Sequence, residues 1–451
     1  MITLQEKVHG SVPPSDWSLG KFHRVLPLRK GCKNVGMIED NLLSLSYGRI
    51  VRKNIDSAEG LLPESFETYQ IVEPGNIVLR LTDLQNDKRS LRQGLVQERG
   101  IITAAYDAVE VSSGNDPRFW AYALLALDLA KYYYSLGGGV RQSIKFDDFP
   151  NEWIAIPDPS TQKTIADFLD RETVYIDQLI TKKERQVEVL EEQARVTSLR
   201  VLSSGLSGIE WSTALQSMTF GLCHPDWAEM RLSSVVRFMT SGSRGWSNFI
   251  RSEGEVFIQS GDIGRHMEVN FEVAQRIQSQ TGAEAERTLI KNGNVLICIT
   301  GGRTGSVGYV QAIQERAYIN QHICLLRAEQ NIIIPELLAQ VLWSVIGQKQ
   351  IEMRQYGVKQ GLGFNEVAGI RLPVPPRDQQ PVLLSRIKSD VARIGKTISN
   401  VRQSIALLRE RRAAMITGAV TGQIDAVSWR KRGDGIRNSE AAPHKIATAS
   451  A

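Results

Sequence analysis

The side chains best suited to bind a metal or to serve as nucleophile or base are six histidines and four cysteines, and neither set is spaced for that work. His9, His23, His224, His266, His322 and His444 are scattered, with no H-E-x-x-H pair and no Ser–His–Asp arrangement among them. Cys32, Cys223, Cys298 and Cys324 form no C-x-x-C pair, and none stands at a zinc-ligand distance from a histidine. They read as reduced thiols packing mainly as small hydrophobes. Gly301 to Gly305 (GGRTG) is glycine-rich but lacks the G-x-x-x-x-G-K-[ST] pattern of a phosphate cradle, and it follows an apolar run, so it reads as a turn. No Asn-Pro-Pro triplet is present for an amino-methyltransferase and no Glu-x-Lys for a nuclease metal site. No catalytic residue and no metal ligand is therefore expected, and a stand-alone nuclease or methylase has no motif in its favour.

With chemistry set aside, the elements carry the argument. The chain has 451 residues, enough for more than one core, with 42% hydrophobic and 23% charged residues, as in an ordinary globular protein. A net charge of +5 permits a polyanionic partner without demanding one. Basic and acidic residues alternate between Arg49 and Arg99, the pattern of a solvated surface. Residues 1–20 contain no apolar core of signal-peptide length, and no window approaches ~18 continuous apolar residues. A cytoplasmic chain with no membrane partner is expected.

An internal repeat spans the chain. Val140, Arg141, Gln142, Ile144 and Phe146 align with Val358, Lys359, Gln360, Leu362 and Phe364, each 218 positions on. The same offset joins Ile154 to Leu372, Ile156 to Val374, Pro157 to Pro375 and Gln162 to Gln380. Upstream it joins Gly75–Asn76 to Gly293–Asn294 and Pro117 to Pro335, and it slips to 210 between Trp17 and Trp227, as loops of different length would cause. Chance likeness of two amphipathic helices does not explain a match running in the same order through strand-like, turn-like and helical segments.

Each copy begins as a mixed domain. Ile77 to Leu81 and Val295 to Thr300 are β-branched runs entered through Gly-Asn turns, hence strands. Arg118 to Tyr134 and Glu336 to Arg354 have helical length and period, ending before glycines at 137–139 and 357. Ser160 and Asp378 then stand as N-caps of long helices, with Pro381 in a first turn. In the second copy Leu384, Ile387, Val391, Ile394, Ile398, Val401, Ile405, Leu408, Arg412 and Met415 alternate spacings of three and four, a heptad seam. Its counterpart is weaker: Ala166, Leu169, Thr173, Ile176, Ile180, Lys183, Val187, Leu190, Ala194 and Thr197. Two equal helices with matching stripes bury them against each other, and a two-fold repeat requires the antiparallel arrangement. The expected fold is α+β: two repeated α/β domains joined by two long antiparallel coiled-coil helices with pseudo-two-fold symmetry, the span from Leu384 to Met415 measuring ~48 Å at the helical rise.

These residues resemble the specificity (S) subunit of type I restriction–modification systems over nearly the whole chain. The likeness rests on the GVRQS and GVKQG segments, on IPDPSTQ and VPPRDQQ ahead of the helices, on Leu408 to Asp425 and on Ile319 to Arg327. It implies two target recognition domains (1–150 and 211–368), a central helical spacer (151–210) and a distal one (369–425); the tail (426–451), basic and low in apolar residues, is expected to be disordered, with an extra phosphate contact as the alternative. It implies double-stranded DNA as ligand, each domain reading one half of an asymmetric two-part site with the helices setting the gap. Two methyltransferase (M) subunits would dock around the helices, and motor-nuclease (R) subunits would join for cleavage. Those partners, not this chain, would use S-adenosylmethionine, ATP and Mg²⁺. The first copy departs from the pattern where Ile102 to Val111 replaces the INQHI type and Leu79 to Ser90 replaces the ITGGRTGSVG loop.

Phosphate contacts need Lys, Arg and backbone N–H groups, and base edges need Arg, Lys, Asn, Gln or small hydroxyls. The second domain offers Ser243, Arg244, Gln259, Ser260, Arg265, Arg303, Thr304, Asn320, Gln321, His322, Lys359 and Gln360. The first offers Tyr47, Arg49, Arg52, Lys53, Arg80, Lys88, Arg89, Arg92, Arg141 and Gln142. For any one of these an exposed polar loop is as good a reading, and Arg141–Gln142 and Lys359–Gln360 equally suit a helix cap. The alternative for the whole chain is a coiled-coil scaffold that binds proteins and no DNA.

Overall fold

The computed structural model describes residues 2–30, 32–54, 63, 65–84, 91–136, 143–204, 215–217, 221–224, 227–278, 280–355 and 361–426. The chain forms two compact units, Met1–Lys182 with Ser404–Ala451, and Lys183–Gln403. Both boundaries fall inside a long helix. The first long helix, Pro159–Ser204, and the second, Gln380–Val420, each contribute one end to either unit.

In the first unit the fully buried strand Ile77–Leu79 lies between Gln93–Leu95 and Asp107–Val109, antiparallel to both. Its lead-in is the expected turn: Gly75 has φ +91°, and the Asn76 carboxamide accepts from Glu73 N at 2.8 Å. Ser18–Lys21 pairs with Trp153–Ile156, just ahead of the first long helix. Gln70–Val72 pairs with Gly100–Ile102, and Leu43–Ser46 and Arg49–Arg52 form a hairpin. Helix Pro117–Leu129 starts at Asp116, whose carboxylate accepts from Arg118 N at 2.9 Å.

The second unit repeats this plan internally. Val295–Cys298, buried throughout, is flanked by Val307–Tyr309 and Ile323–Ala328, with Val236–Ser241 outside the latter. Asn294 accepts from Lys291 N at 2.8 Å, and Gly293 has φ +79°. Ala228–Arg231 pairs with Arg371–Val374, the counterparts of Ser18–Lys21 and Trp153–Ile156 at offsets of 210 and 218. A second sheet, ordered Ile250–Arg251, Gln275–Ile277, Glu255–Ile258, Ala317–Ile319, has one parallel pairing, between the last two strands.

Two helical expectations need correction. The segment from Arg118 to Tyr134 breaks at Lys131 (φ +61°) into Pro117–Leu129 and Tyr132–Leu136. Glu336 to Arg354 breaks at Ser344, whose extended ψ of 169° separates Pro335–Trp343 from Val345–Arg354. The cap of the first long helix is also not Ser160. Asp158 accepts from the Thr161 and Ser160 hydroxyls and backbone N–H groups at 2.5–3.2 Å, which holds its carboxyl well below the usual range. Asp378 lies in the turn before the second helix.

Along the seams Leu169, Ile176, Ile180, Val187, Ile387, Ile398, Val401 and Ile405 are buried, while Leu190, Val391, Ile394 and Leu408 are half-buried. Arg412 of the second helix pairs with Asp177 of the first at 2.9 Å in the first unit. Arg402 pairs with Glu191 at 2.7 Å in the second. Rising numbers on one helix meet falling numbers on the other, as antiparallel helices require. Cys298 and Cys324 are free and buried, and burial pushes both thiols up to about 12.

One buried amide secures each helix start. Gln162 donates to Pro157 O at 2.9 Å and Asn115 Oδ1 at 2.8 Å, while accepting from Asp116 N at 2.9 Å. Gln380 donates to Pro375 O at 2.9 Å and Ile332 O at 2.8 Å, accepting from Ile334 N at 2.8 Å. Replacing either by alanine leaves backbone groups without partners inside a closed site. Gln162→Ala and Gln380→Ala are each expected to destabilise their own unit by ~1–3 kcal/mol, read from denaturant unfolding of the full chain.

Candidate nucleic-acid interface

In the second unit the fold gathers loops that are far apart in sequence. Ser243 bridges Asn320 as a parallel partner, and Asn320 N donates to Ile258 O at 3.0 Å, next to Gln259. This crossing needs a glycine: a Cβ on Gly242 would sit 2.1 Å from Ile319 O. The Asn320 side chain accepts from His322 N at 3.1 Å, and the His322 imidazole hydrogen-bonds Thr300 Oγ1 through Nδ1. Thr300 in turn bridges Gly361. Sequence reading missed Thr300, because only strand pairing sets it opposite His322.

The glycine loop is a closed turn. Thr304 donates to Gly301 O through both its N–H (3.0 Å) and its hydroxyl (2.6 Å), and Gly301 and Gly305 both have φ +91°. Arg303 lies at its exposed tip, with one guanidinium nitrogen 3.2 Å from Ile263 O. Gln259 caps the Ser260–Asp262 turn, its N–H donating to Asp262 at 2.8 Å and its side chain to Gln275 at 2.6 Å. The structure thus brings Ser243, Arg244, Gln259, Ser260, Arg303, Thr304, Asn320, Gln321 and His322 to one margin of the two sheets. Arg244 and Arg303 are exposed, Gln259, Ser260, Thr304, Gln321 and His322 are half-buried, and Ser243 and Asn320 are buried. Two exposed guanidinium groups among carboxamides and hydroxyls have the donors and acceptors for base edges. Buried Ser243 and Asn320 instead build the crossing. Arg265 turns away, donating to Glu191 of the first long helix at 3.1 Å.

The first unit gathers less. Tyr47 and Gly48 form the tip of the hairpin with φ of +46° and +78°, the two-residue turn whose twist matches the strands. A tyrosine seldom adopts this conformation, and here the residue is 70% exposed. Tyr47 and Arg49 line a cleft of about 530 Å³ together with Leu91, Leu95, Leu125, Gln93, Gln97 and Tyr122. Arg52 is ion-paired with Glu98, Lys53 is exposed and Arg80 half-buried.

Arg92 is corrected by the structure. It is 2% exposed, and its guanidinium donates to Arg80 O, Thr82 O, Asp83 O and the Tyr134 hydroxyl at 2.8–3.2 Å. It satisfies main-chain carbonyls of residues 80–83 rather than facing outward. Lys88, Arg89, Arg141, Gln142, Lys359 and Gln360, like the tail beyond Ala426, lie outside the described residues. Among the described residues no group of three or more His, Cys, Asp or Glu side chains could hold a metal ion. None of the described helices is long and apolar enough to cross a membrane.

The chain matches no known protein-family model and no curated protein. Among solved structures it is similar to a chain described under "Structural basis underlying complex assembly and conformational transition of the type I R-M system", with 13% identity, 91% of this chain and 99% of that chain covered, and a TM-score of 0.56. The likeness is one of fold, and it spans both units. The HsdS subunit from Thermoanaerobacter tengcongensis (14% identity, 91% and 98% covered, TM-score 0.42) and the type I restriction–modification S subunit from M. genitalium (14%, 90% and 98%, 0.37) also match.

The two arginines make opposite predictions. Arg303→Ala is expected to weaken binding to a cognate duplex by ~1–3 kcal/mol at little cost in stability; unchanged affinity and sequence preference would remove Arg303 from the interface. Arg92→Ala is expected to lower unfolding stability by roughly 2–4 kcal/mol, since it strips donors from several enclosed carbonyls.

Proposed function

We propose that this chain is the DNA-specificity subunit of a type I restriction–modification assembly and has no catalytic activity of its own. The observation that carries this reading is the fold: two units of one plan joined through two long helices, matching nearly end to end a chain from a study of type I R-M assembly. Each unit reads one half of an asymmetric, two-part site in double-stranded DNA. The domains at 1–150 and 211–368 do the reading, and the helical segments at 151–210 and 369–425 set the spacer and seat two methyltransferase subunits. Motor-nuclease subunits join for cleavage, and the partner subunits use S-adenosylmethionine, ATP and Mg²⁺. The basic segment 426–451 belongs to neither reader, and the work is done in the cytoplasm.

The asymmetry follows from the loops. The two central sheets share the order of their three common strands and their turn chemistry, yet the second unit carries a closed glycine loop where in the first the Arg92 guanidinium binds the carbonyls of Arg80, Thr82 and Asp83. Unlike reading surfaces on like scaffolds select unlike half-sequences. Phosphate contacts from exposed Arg and Lys add affinity that is lost as salt rises.

Sequencing of methylated adenines in cells carrying the complete system is expected to reveal one split site with two different halves and a fixed gap. A purified complex with its methyltransferase partners should prefer that duplex over random DNA in competition. Methylation independent of this chain, or no preference over random DNA, would overturn the reading in favour of a protein-binding scaffold.

A further inference from the structure

Glu191 is a buried carboxylate on the first long helix, its side chain 6% exposed, and three side chains of the second unit, from the second long helix and one loop, converge on it. Oε1 accepts from Arg402 Nη2 of the second long helix at 2.7 Å. Oε2 accepts from Arg265 Nη1 at 3.1 Å, and His266 Nε2 lies 3.9 Å from Oε1. Arg265 belongs to the loop that leads out of Gln259–Asp262, and Ile263 in that loop receives the Arg303 guanidinium at 3.2 Å. The loop is also held by Trp343, whose indole donates to Arg265 O at 2.7 Å and whose ring packs on His266.

We propose that Glu191 is a positioning residue that fixes the bearing of the second reading domain on the helix pair, and so the spacer length the protein accepts. This rests on the reading given under Proposed function. The other polar ties of that domain to the helices, Gln380 with Ile332 and Ile334 and Lys388 with Glu336, lie near the start of the second helix, and the rest of its attachment is apolar, through Ala194, Val201, Leu202, Leu383 and Ile387. Apolar packing is non-directional and tolerates a small slide or rotation. A carboxylate with one guanidinium on each oxygen is directional, and it joins both helices to the loop that carries the base-reading candidates. The arginines themselves are 65% and 52% exposed, so water can take them up if the carboxylate is lost, and the fold does not depend on the cluster. Arg265 is therefore a tie between domain and helices.

The test uses the complex of this chain with its methyltransferase partners and duplexes carrying the mapped site with its natural gap, or a gap one base pair shorter or longer. The wild-type complex is expected to favour the natural gap. Glu191→Gln should lose roughly tenfold of that discrimination, the worth of one charge-assisted hydrogen bond, while methylating the same half-sequences. Arg402→Met, which leaves both Arg265 and Glu191 in place, should relax the gap in the same direction. Wild-type gap discrimination in both variants would overturn the inference. So would altered half-sequence preference with the gap unchanged, which would make Arg265 a base reader. A wild-type complex with no two-part site would instead sink the functional reading, and this inference with it.

Discussion

Everything in this fold depends on how a mixed domain is fastened to a helix that continues far beyond it. A primary carboxamide in the first turn of each long helix does this. Gln162 and Gln380 each use two N–H bonds and one acceptor to join the strand that leads into the helix with the start of the neighbouring helix, at Asp116 or Ile334. Both are almost fully enclosed, so each bond forms where water cannot replace it. Helix direction is thereby set by the domain at its root.

That fastening lets one scaffold carry two unlike surfaces. The buried strands Ile77–Leu79 and Val295–Cys298, their Gly-Asn lead-ins and the Pro117 and Pro335 helices form a frame with the same contacts in both units. The loops beyond the frame answer to different constraints. In the second unit the crossing of Ser243 and Asn320 and the Thr300–His322 bond draw polar loops together. In the first, the Arg92 guanidinium binds the carbonyls of Arg80, Thr82 and Asp83 from the interior.

Three arginines that look alike in sequence therefore have different fates. Arg303 stands at an exposed loop tip, Arg92 satisfies main-chain carbonyls in the interior, and Arg265 bonds a buried carboxylate across to a helix. A guanidinium offers five donors in a rigid fork, which serves a carbonyl cage or a carboxylate as well as a base edge. Residue type alone does not choose between these uses.

The amino-acid sequence by itself determined the repeat, the central strands, the long helices and their apolar stripes. These follow from local rules: β-branched runs, glycine turns and a spacing of three and four act over a few residues and leave their mark in the chain. The breaks at Lys131 and Ser344 were not legible, because continuous helical periodicity conceals a turn made by tertiary packing. Residue type alone does not place the cap of the first long helix, because Asp158 and Ser160 are both good capping types two positions apart. Which polar residues face outward was decided only by the tertiary structure. Thr300 meets His322, and Glu191 meets Arg265 and Arg402, because strand register and helix packing bring distant segments within hydrogen-bonding distance. Such contacts depend on directions in space, and no periodicity along the chain records them.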